Sequence, residues 1–545
     1  MAHSSERANF GSKLGVILAT AGSAVGLGNV WRFPYMTGEN GGAAFILIYI
    51  ACVVLLGIPC MLSEFIIGRH GAANTSRVYA KVAAEGLADA NSKKARWQLL
   101  FPKFIGFLGI TTGFLITSYY AVVSGWCLQY IYASAAGHLK GDASFVSSYF
   151  QDFSSSPLRP VFWTVAILFI THFVICRGVR GGIEKASKLL MPTLFILLLV
   201  IVVASCMLPG ATAGIEFLLK PDFTRLNSGV FLSALGQSFY SLSIGMGCLA
   251  TYASYFNRQT NLLSSAVQIS FVDSFIAILA GLMIFPAAFS VGVSPDSGPS
   301  LVFITLPNVF NQAFSAMPVV GYVVAFFFYA LLSLAALTSL ISLHEVSTAF
   351  FHEEFRLPRG RAALIVTVLC SIIGAFCSLS LGAVEGISIA GRSLFDVFDF
   401  VTGQIFLPIG GFLTCLFLGW FVPRKLINDE FTNGGTAWQR SGRWLFAAFL
   451  FLIRFVKLEI ALVYRVCRCR CSCFYRGYCR VSSRNYRCRL CGCRCFLDLA
   501  VLFRVTRTSM SNKKNKKQHK KCNDSKRGKL SSSQRFTGYS LAGTM

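Results

Sequence analysis

The sequence predicts an all-α polytopic membrane protein of about eleven spans, built from two five-span repeats whose opening spans, 1 and 6, are each broken near the middle. Three observations carry that prediction. The chain has 545 residues, 54% hydrophobic and 13% charged, with a mean hydropathy of +0.60. Its apolar segments alternate with loops that are basic on one side and longer or mixed in sign on the other. Two of those segments are interrupted by glycines at matching places in the two halves.

Residues 1–13 are polar and carry Arg7 and Lys13. They read as a cytoplasmic N-terminus with no cleavable signal ahead of the first span. Apolar segments then cover 14–36, 43–68, 99–134, 160–176, 187–209, 229–256, 267–292, 318–351, 361–382, 393–422 and 444–464. Each is long enough to cross about 30 Å of hydrocarbon, the longer ones with tilt. Threaded from an inside start, Arg69, Arg77 and Lys81 follow span 2, and Arg177, Arg180, Lys185 and Lys188 separate spans 4 and 5. Arg258 follows span 6, Arg356, Arg359 and Arg361 separate spans 8 and 9, and Arg424 and Lys425 follow span 10. All fall inside, as the positive-inside rule requires. The loops 136–159 and 210–228, and short helices within 298–314, fall outside. Residues 14–209 thus form the first repeat and 229–422 the second, in the plasma (inner) membrane.

Span 1 reads Ala21-Gly22-Ser23-Ala24-Val25-Gly26-Leu27-Gly28-Asn29-Val30-Trp31-Arg32 through its centre. Glycine weakens a helix, and unwound backbone at membrane depth survives only where it lines a cavity or is buried in protein. A small-residue packing face would account for this span alone. Span 6 carries a second interruption, Ser241-Leu242-Ser243-Ile244-Gly245-Met246-Gly247. Paired breaks in corresponding spans point instead to an inverted-repeat transporter with its site at the midplane.

The same residues resemble a known family. Gly22 to Tyr35 is similar to the first-helix signature of the sodium:neurotransmitter symporters, the bacterial amino-acid branch above all. Glu39-Asn40-Gly41-Gly42, Gly57-Ile58-Pro59 with Glu64, Ser118-Tyr119-Tyr120 with Trp126, and Gly236-Gln237-Ser238-Phe239 extend the likeness. So do Thr251-Tyr252-Ala253-Ser254-Tyr255 and Phe395-Asp396-Val397-Phe398-Asp399-Phe400, and the match covers about residues 5–456.

The resemblance implies Na⁺-coupled amino-acid symport, with two Na⁺ sites and no organic cofactor. The first Na⁺ site would use Ala24, Asn29, Ser241 and Asp273, and the second Gly22, Val25, Ala335, Thr338 and Ser339. Hard cations want oxygen ligands, which uncoiled backbone and hydroxyls supply. An ionisable group inside a span costs roughly 3 kcal/mol on insertion scales and is functional by default. In many animal members a chloride stands where Asp273 brings its own charge, so transport here is expected to be chloride-independent.

Monoamine carriers of the family place an aspartate at the position of Gly26. A glycine there implies a substrate that supplies its own carboxylate, held by the first Na⁺, the amides of Leu27 and Gly28, and the Tyr120 hydroxyl. Positive half-helix ends suit such a group. Ala24, Ser241 and Ser243 would meet the rest of the head group, with Ile116, Tyr240, Met246 and Leu343 around the side chain. Met246 is flexible and favours a larger hydrophobic or aromatic amino acid. Arg32 with Asp399 would form an outer gate, and Arg7 with Glu353 an inner one, near Phe10 and Tyr255. No HExxH, nucleophile elbow or P-loop occurs in the membrane core, so an enzyme is not expected. The competing reading is a membrane sensor that binds an amino acid without moving it, or an inactivated transporter.

Beyond residue 456 the character changes. From Lys457 onward there are 22 Lys and Arg against 3 Asp and Glu, out of a whole-chain charge of +27, and ten of the 19 cysteines. Lys457 and Glu459 make 444–464 a poor eleventh span. Cys467-Arg-Cys469-Arg-Cys471-Ser-Cys473 lacks the paired spacing of zinc modules. Polybasic tracts bind anionic lipid or nucleic acid adventitiously, and no specific nucleic-acid partner is expected. The simplest expectation is that 465–545 reflects a shifted reading frame. The partners expected are an amino acid and the bilayer; the sequence is silent on oligomeric state.

Overall fold

The computed structural model describes residues 10–85, 93–139, 143–290, 302–314, 317–384, 386–389, 391–435 and 444–453, with the single positions 141 and 292. All belong to one compact unit, Met1–Val463; the second, Tyr464–Met545, lies outside the described residues, as do the expected gate residue Arg7 and the basic tail.

Among the described residues eight helices are long and apolar enough to span a membrane, nine when the bent first pair is counted as one. That pair is Lys13–Ala24 and the stretch Gly28–Glu39, bent by 47°. Span 2 is Ala43–Gly71, span 3 Lys93–Ala135, span 4 Arg159–Cys176 and span 5 Val179–Cys206. Spans 7 to 10 are Leu262–Ser290, Pro318–Glu354, Arg359–Leu379 and Leu394–Phe421. Span 6 is split into Ser228–Ser241 and Cys248–Ala253, two pieces each too short to cross by itself. Of the expected eleventh span only Trp444–Ile453 is described, a ten-residue apolar helix.

Boundaries move where charge misled the reading. Span 5 was expected from residue 187 but begins at Val179 with a π-helical turn, Val179–Glu184. Its charges are accommodated: Glu184 accepts from Gly11 N–H (2.7 Å), Ser12 Oγ (2.8 Å) and Lys188 Nζ (2.7 Å), which staples the start of span 1 to the start of span 5. Further π turns cover Gly28–Arg32, Val53–Gly57 and Val401–Phe406 in spans 1, 2 and 10. A two-residue hairpin, Ser388–Ile389 with Arg392–Ser393, opens onto span 10 and was not anticipated; Gly391 turns it at φ +77°.

Spans 3, 4, 8 and 9 all pack on one another, and span 1 lies against spans 5, 7 and 8. At the Gly71 end of span 2, Arg69 Nε binds Glu430 Oε2 at 2.6 Å while its Nη1 donates to Thr260 O at 2.5 Å. Burial alone would push Glu430 up; hydrogen bonding to His70 and the charge of Arg69 outweigh it and hold the carboxyl below its usual range. A depressed carboxylate stabilises the fold above its unfolded pKa, and that contribution disappears as pH falls through the folded value.

Candidate functional site

The two breaks face each other. In span 1 the α-helix stops at Val25, whose φ of −73° and ψ of 108° are extended. In span 6 the chain turns at Ser243 (φ +56°), Gly245 (φ +83°) and Gly247 (φ +77°). Ser243 is a non-glycine residue in the left-handed region, a conformation costing about 1–2 kcal/mol. Its Oγ donates to Ser23 O at 2.9 Å, which ties one break to the other.

A small cavity lies between them, lined by Ala24, Gly26 and Gly28 of span 1 and by Ile116, Tyr120, Tyr240, Ser243, Met246 and Leu343. Ser23 and Ser339 complete the wall. Tyr120 Oη accepts from Leu27 N–H at 2.8 Å. Gly26 has no room for a side chain: a Cβ there would collide with Ser339 Oγ and come within 2.8 Å of Tyr120 Oη. The cradle is therefore rich in amides and hydroxyls at its head end and apolar beyond, with no acidic side chain on its wall. Ser241, expected at the substrate, turns away from the cavity.

Ser241 belongs to a buried cluster around Asp273, which is 0% exposed. Asp273 Oδ1 accepts from Asn29 Nδ2 at 2.7 Å, and Oδ2 accepts from Ser241 Oγ at 2.8 Å and Tyr49 Oη at 3.1 Å. Asn29 Oδ1 meanwhile takes Gly26 N–H at 3.0 Å. Three of the four expected first-site residues thus stand together and Tyr49 joins them, whereas Ala24 lines the neighbouring cavity. A cation at this point needs the Asn29 amide turned over, oxygen inward.

The second set converges as well. Thr338 Oγ1 donates to Ala335 O (2.9 Å) and lies 3.2 Å from Val25 O, and Ser339 Oγ is 3.4 Å from Val25 O. A Cβ on Gly22 would meet Thr338 Cβ at 3.5 Å, so Gly22 faces the same point. Carbonyl and hydroxyl oxygens brought together from two spans are suitable donors for a small hard cation.

The gates are less complete. Arg32 is 5% exposed, lies 4.5 Å over the Tyr240 ring and donates from Nη1 to Gln237 Oε1 at 3.2 Å. Among the described residues no ion pair joins it to Asp399, which accepts from Tyr119 Oη at 3.2 Å instead. The aromatic pair Tyr119 and Tyr240 stands where a direct contact was expected. Glu353 accepts from Asn74 N–H at 2.8 Å and borders a second cavity with Arg77, Lys81 and Lys103. Tyr255, expected near it, donates to Glu345 Oε1 at 2.7 Å, and Arg359 pairs with Glu345 Oε2 at 2.5 Å.

Three residues were not assigned roles from sequence. Tyr49 and Gln237 are polar groups inside apolar spans, a signal that was available; Gln237 Nε2 donates to Gly28 O at 2.9 Å. Glu64, 1% exposed, accepts the N–H of Gly245 at 2.7 Å and so pins the break of span 6. Leaving a buried N–H unpaired costs about 1–3 kcal/mol. Glu64→Ala is expected to lower the thermal midpoint in detergent by several degrees, and Glu64→Gln, which keeps the acceptor, to restore most of it; equal losses would contradict this role.

A model of the sodium:neurotransmitter symporter family matches residues 7–152 and 151–469. The uncharacterized sodium-dependent transporter YhdH of Bacillus subtilis (strain 168) is 36% identical over 456 residues, 83% of this chain and 96% of that protein. The human sodium- and chloride-dependent GABA transporter 2 is 26% identical over 479 residues, 78% and 75% of the two chains. The crystal structure of MhsT in complex with L-phenylalanine superposes with a TM-score of 0.74 at 38% identity, covering 84% of this chain and all of that one (100%).

Proposed function

The chain belongs to the sodium:neurotransmitter symporter family, with that family's 5+5 inverted-repeat architecture and sodium dependence, and on that premise we propose that it carries a neutral, hydrophobic or aromatic amino acid into the cell with Na⁺ by alternating access. The observation that carries the substrate class is the cradle at Gly26: amides and the Tyr120 hydroxyl converge there, and no acidic side chain lines the wall. An amine alone would find no counter-charge in such a wall. A carboxylate finds donors and a neighbouring cation.

Two Na⁺ ions accompany the substrate, one beside Asp273 and Asn29, the other among Val25, Ala335, Thr338 and Ser339. Asp273 holds the charge that chloride supplies elsewhere, so uptake is chloride-independent. The apolar wall of Ile116, Tyr240, Met246 and Leu343 favours a large side chain, in keeping with the L-phenylalanine bound by the similar MhsT. The N-terminus faces the cytoplasm of a cell whose plasma membrane holds the protein.

Reconstituted protein, loaded with an inward sodium gradient and offered each of the twenty amino acids in radiolabelled form, tests this directly. Accumulation of large neutral amino acids that collapses without Na⁺ is expected. Binding without accumulation would identify a sensor. Arg32→Gln separates gating from binding: equilibrium affinity should stay within a few fold while uptake falls more than tenfold, since a gate residue acts on the exchange between states. Equal loss of both would make Arg32 purely structural. We also infer that the frame shifts near codon 456; resequencing that region tests it.

A further inference from the structure

Two thiols outside the cradle meet in the membrane interior. Cys60 of span 2 and Cys415 of span 10 are 0% and 1% exposed, and their Sγ atoms lie 3.2 Å apart. Both are free cysteines. A disulfide holds its sulfurs at about 2.05 Å, so closing this pair asks for a movement of roughly 1 Å, within reach of side-chain rotation. Ser63 Oγ lies 3.9 Å from Cys415 Sγ and donates to Pro59 O.

The place of the pair gives it consequence. Glu64, one helical turn beyond Cys60, holds Gly245 at the break of span 6. Gly410, one turn or so before Cys415, lies so close to that break that a Cβ on it would come within 2.6 Å of Gly245 O. Spans 2 and 10 therefore grip the unwound segment from two sides, and the two thiols sit where the grips touch.

We propose that Cys60 and Cys415 form a dithiol switch, closed to a disulfide by a small uncharged hydroperoxide, that locks span 2 to span 10 across the break. One Sγ attacks a peroxide oxygen, the O–O bond breaks, and the sulfur becomes a sulfenic acid while the other oxygen leaves as water with the thiol proton. The second Sγ then attacks the sulfenic sulfur, the S–O bond breaks, and a second water carries off the second thiol proton. Two thiols are oxidised by two electrons, and one hydrogen peroxide is reduced to two waters. A buried pair admits only an uncharged oxidant of this size. Cytosolic reductants keep the thiols open in ordinary growth, so the lock closes under peroxide load.

The test uses full-length protein in proteoliposomes treated with hydrogen peroxide, then blocked with N-ethylmaleimide, digested and mapped by mass spectrometry. A peptide joining Cys60 to Cys415 is expected, with sodium-driven L-phenylalanine uptake reduced at least tenfold and recovered with dithiothreitol. Cys60→Ser and Cys415→Ala should transport normally and ignore peroxide. Absence of the joined peptide, a joined peptide with undiminished uptake, or variants as sensitive as the parent would each overturn the switch. The uptake arm rests on the transport reading above, whereas the peptide arm does not, so the two failures are told apart.

Discussion

Asp273→Asn is expected to abolish sodium-driven uptake in chloride-free medium and to regain part of it when chloride is supplied. The carboxylate is fully buried and takes hydrogen bonds from Asn29, Ser241 and Tyr49. Those donors are arranged for a negative charge. An amide in its place keeps the shape but loses the charge. Two unit charges about 4 Å apart attract by roughly 4 kcal/mol at an effective dielectric of 20, which corresponds to about a thousandfold in sodium affinity. The unsatisfied hydroxyls of Ser241 and Tyr49 would then face whatever anion enters. Sodium titrations of uptake with chloride and with gluconate measure both halves of the expectation. Unchanged uptake in gluconate would mean that Asp273 plays no part in the charge balance.

Gly26→Ala is expected to lower substrate affinity a hundredfold or more without unfolding the protein. Its Cβ would strike Ser339 Oγ and crowd Tyr120 Oη, displacing one expected Na⁺ donor and breaking the bond from Leu27 N–H. Overpacking costs about 1–3 kcal/mol and a lost hydrogen bond about 0.5–1.5 kcal/mol. The sum acts on the head-group end of the cradle, so affinities for all amino acids should fall together. A scintillation binding assay on Gly26→Ala against the parent, with thermal midpoints as a folding control, measures it. Gly26→Asp should be worse for amino acids, since it sets a carboxylate against a carboxylate. Selective loss for large side chains only would place Gly26 at the wrong end of the site.

Much of this architecture was legible in the residues. Apolar length and the inside bias of Arg and Lys gave spans 1 to 10, because hydrocarbon thickness and charge translocation are one-dimensional constraints. Glycines marked both breaks, and Thr338-Ser339 and Asp273 stand beside them in the folded chain. What sequence could not supply was rotation and depth. Ser241 sits on the Asp273 side of span 6 and not on the cavity side, a matter of helical phase. Arg32 and Asp399 were matched as partners, yet Gln237, Tyr240 and Tyr119 take the intervening space. The charged start of span 5 hid a helical turn whose carboxylate is consumed by the first span. Pairings of that kind are set by three-dimensional neighbours far apart in the chain.

The π turns have a mechanical meaning. They occur in spans 1, 2, 5 and 10, and span 6 is fully parted, whereas spans 3, 4, 7, 8 and 9 run without one among the described residues. A π turn spreads its hydrogen bonds over five residues and is easily converted to an α turn by a one-residue shift. Four of those five, spans 3, 4, 8 and 9, also pack on one another. Stiffness and compliance are thus allotted to separate sets of helices. Amide exchange should be slowest in the cluster of 3, 4, 8 and 9 and markedly faster at each π turn. The described helices thus resemble a rigid frame carrying jointed rods.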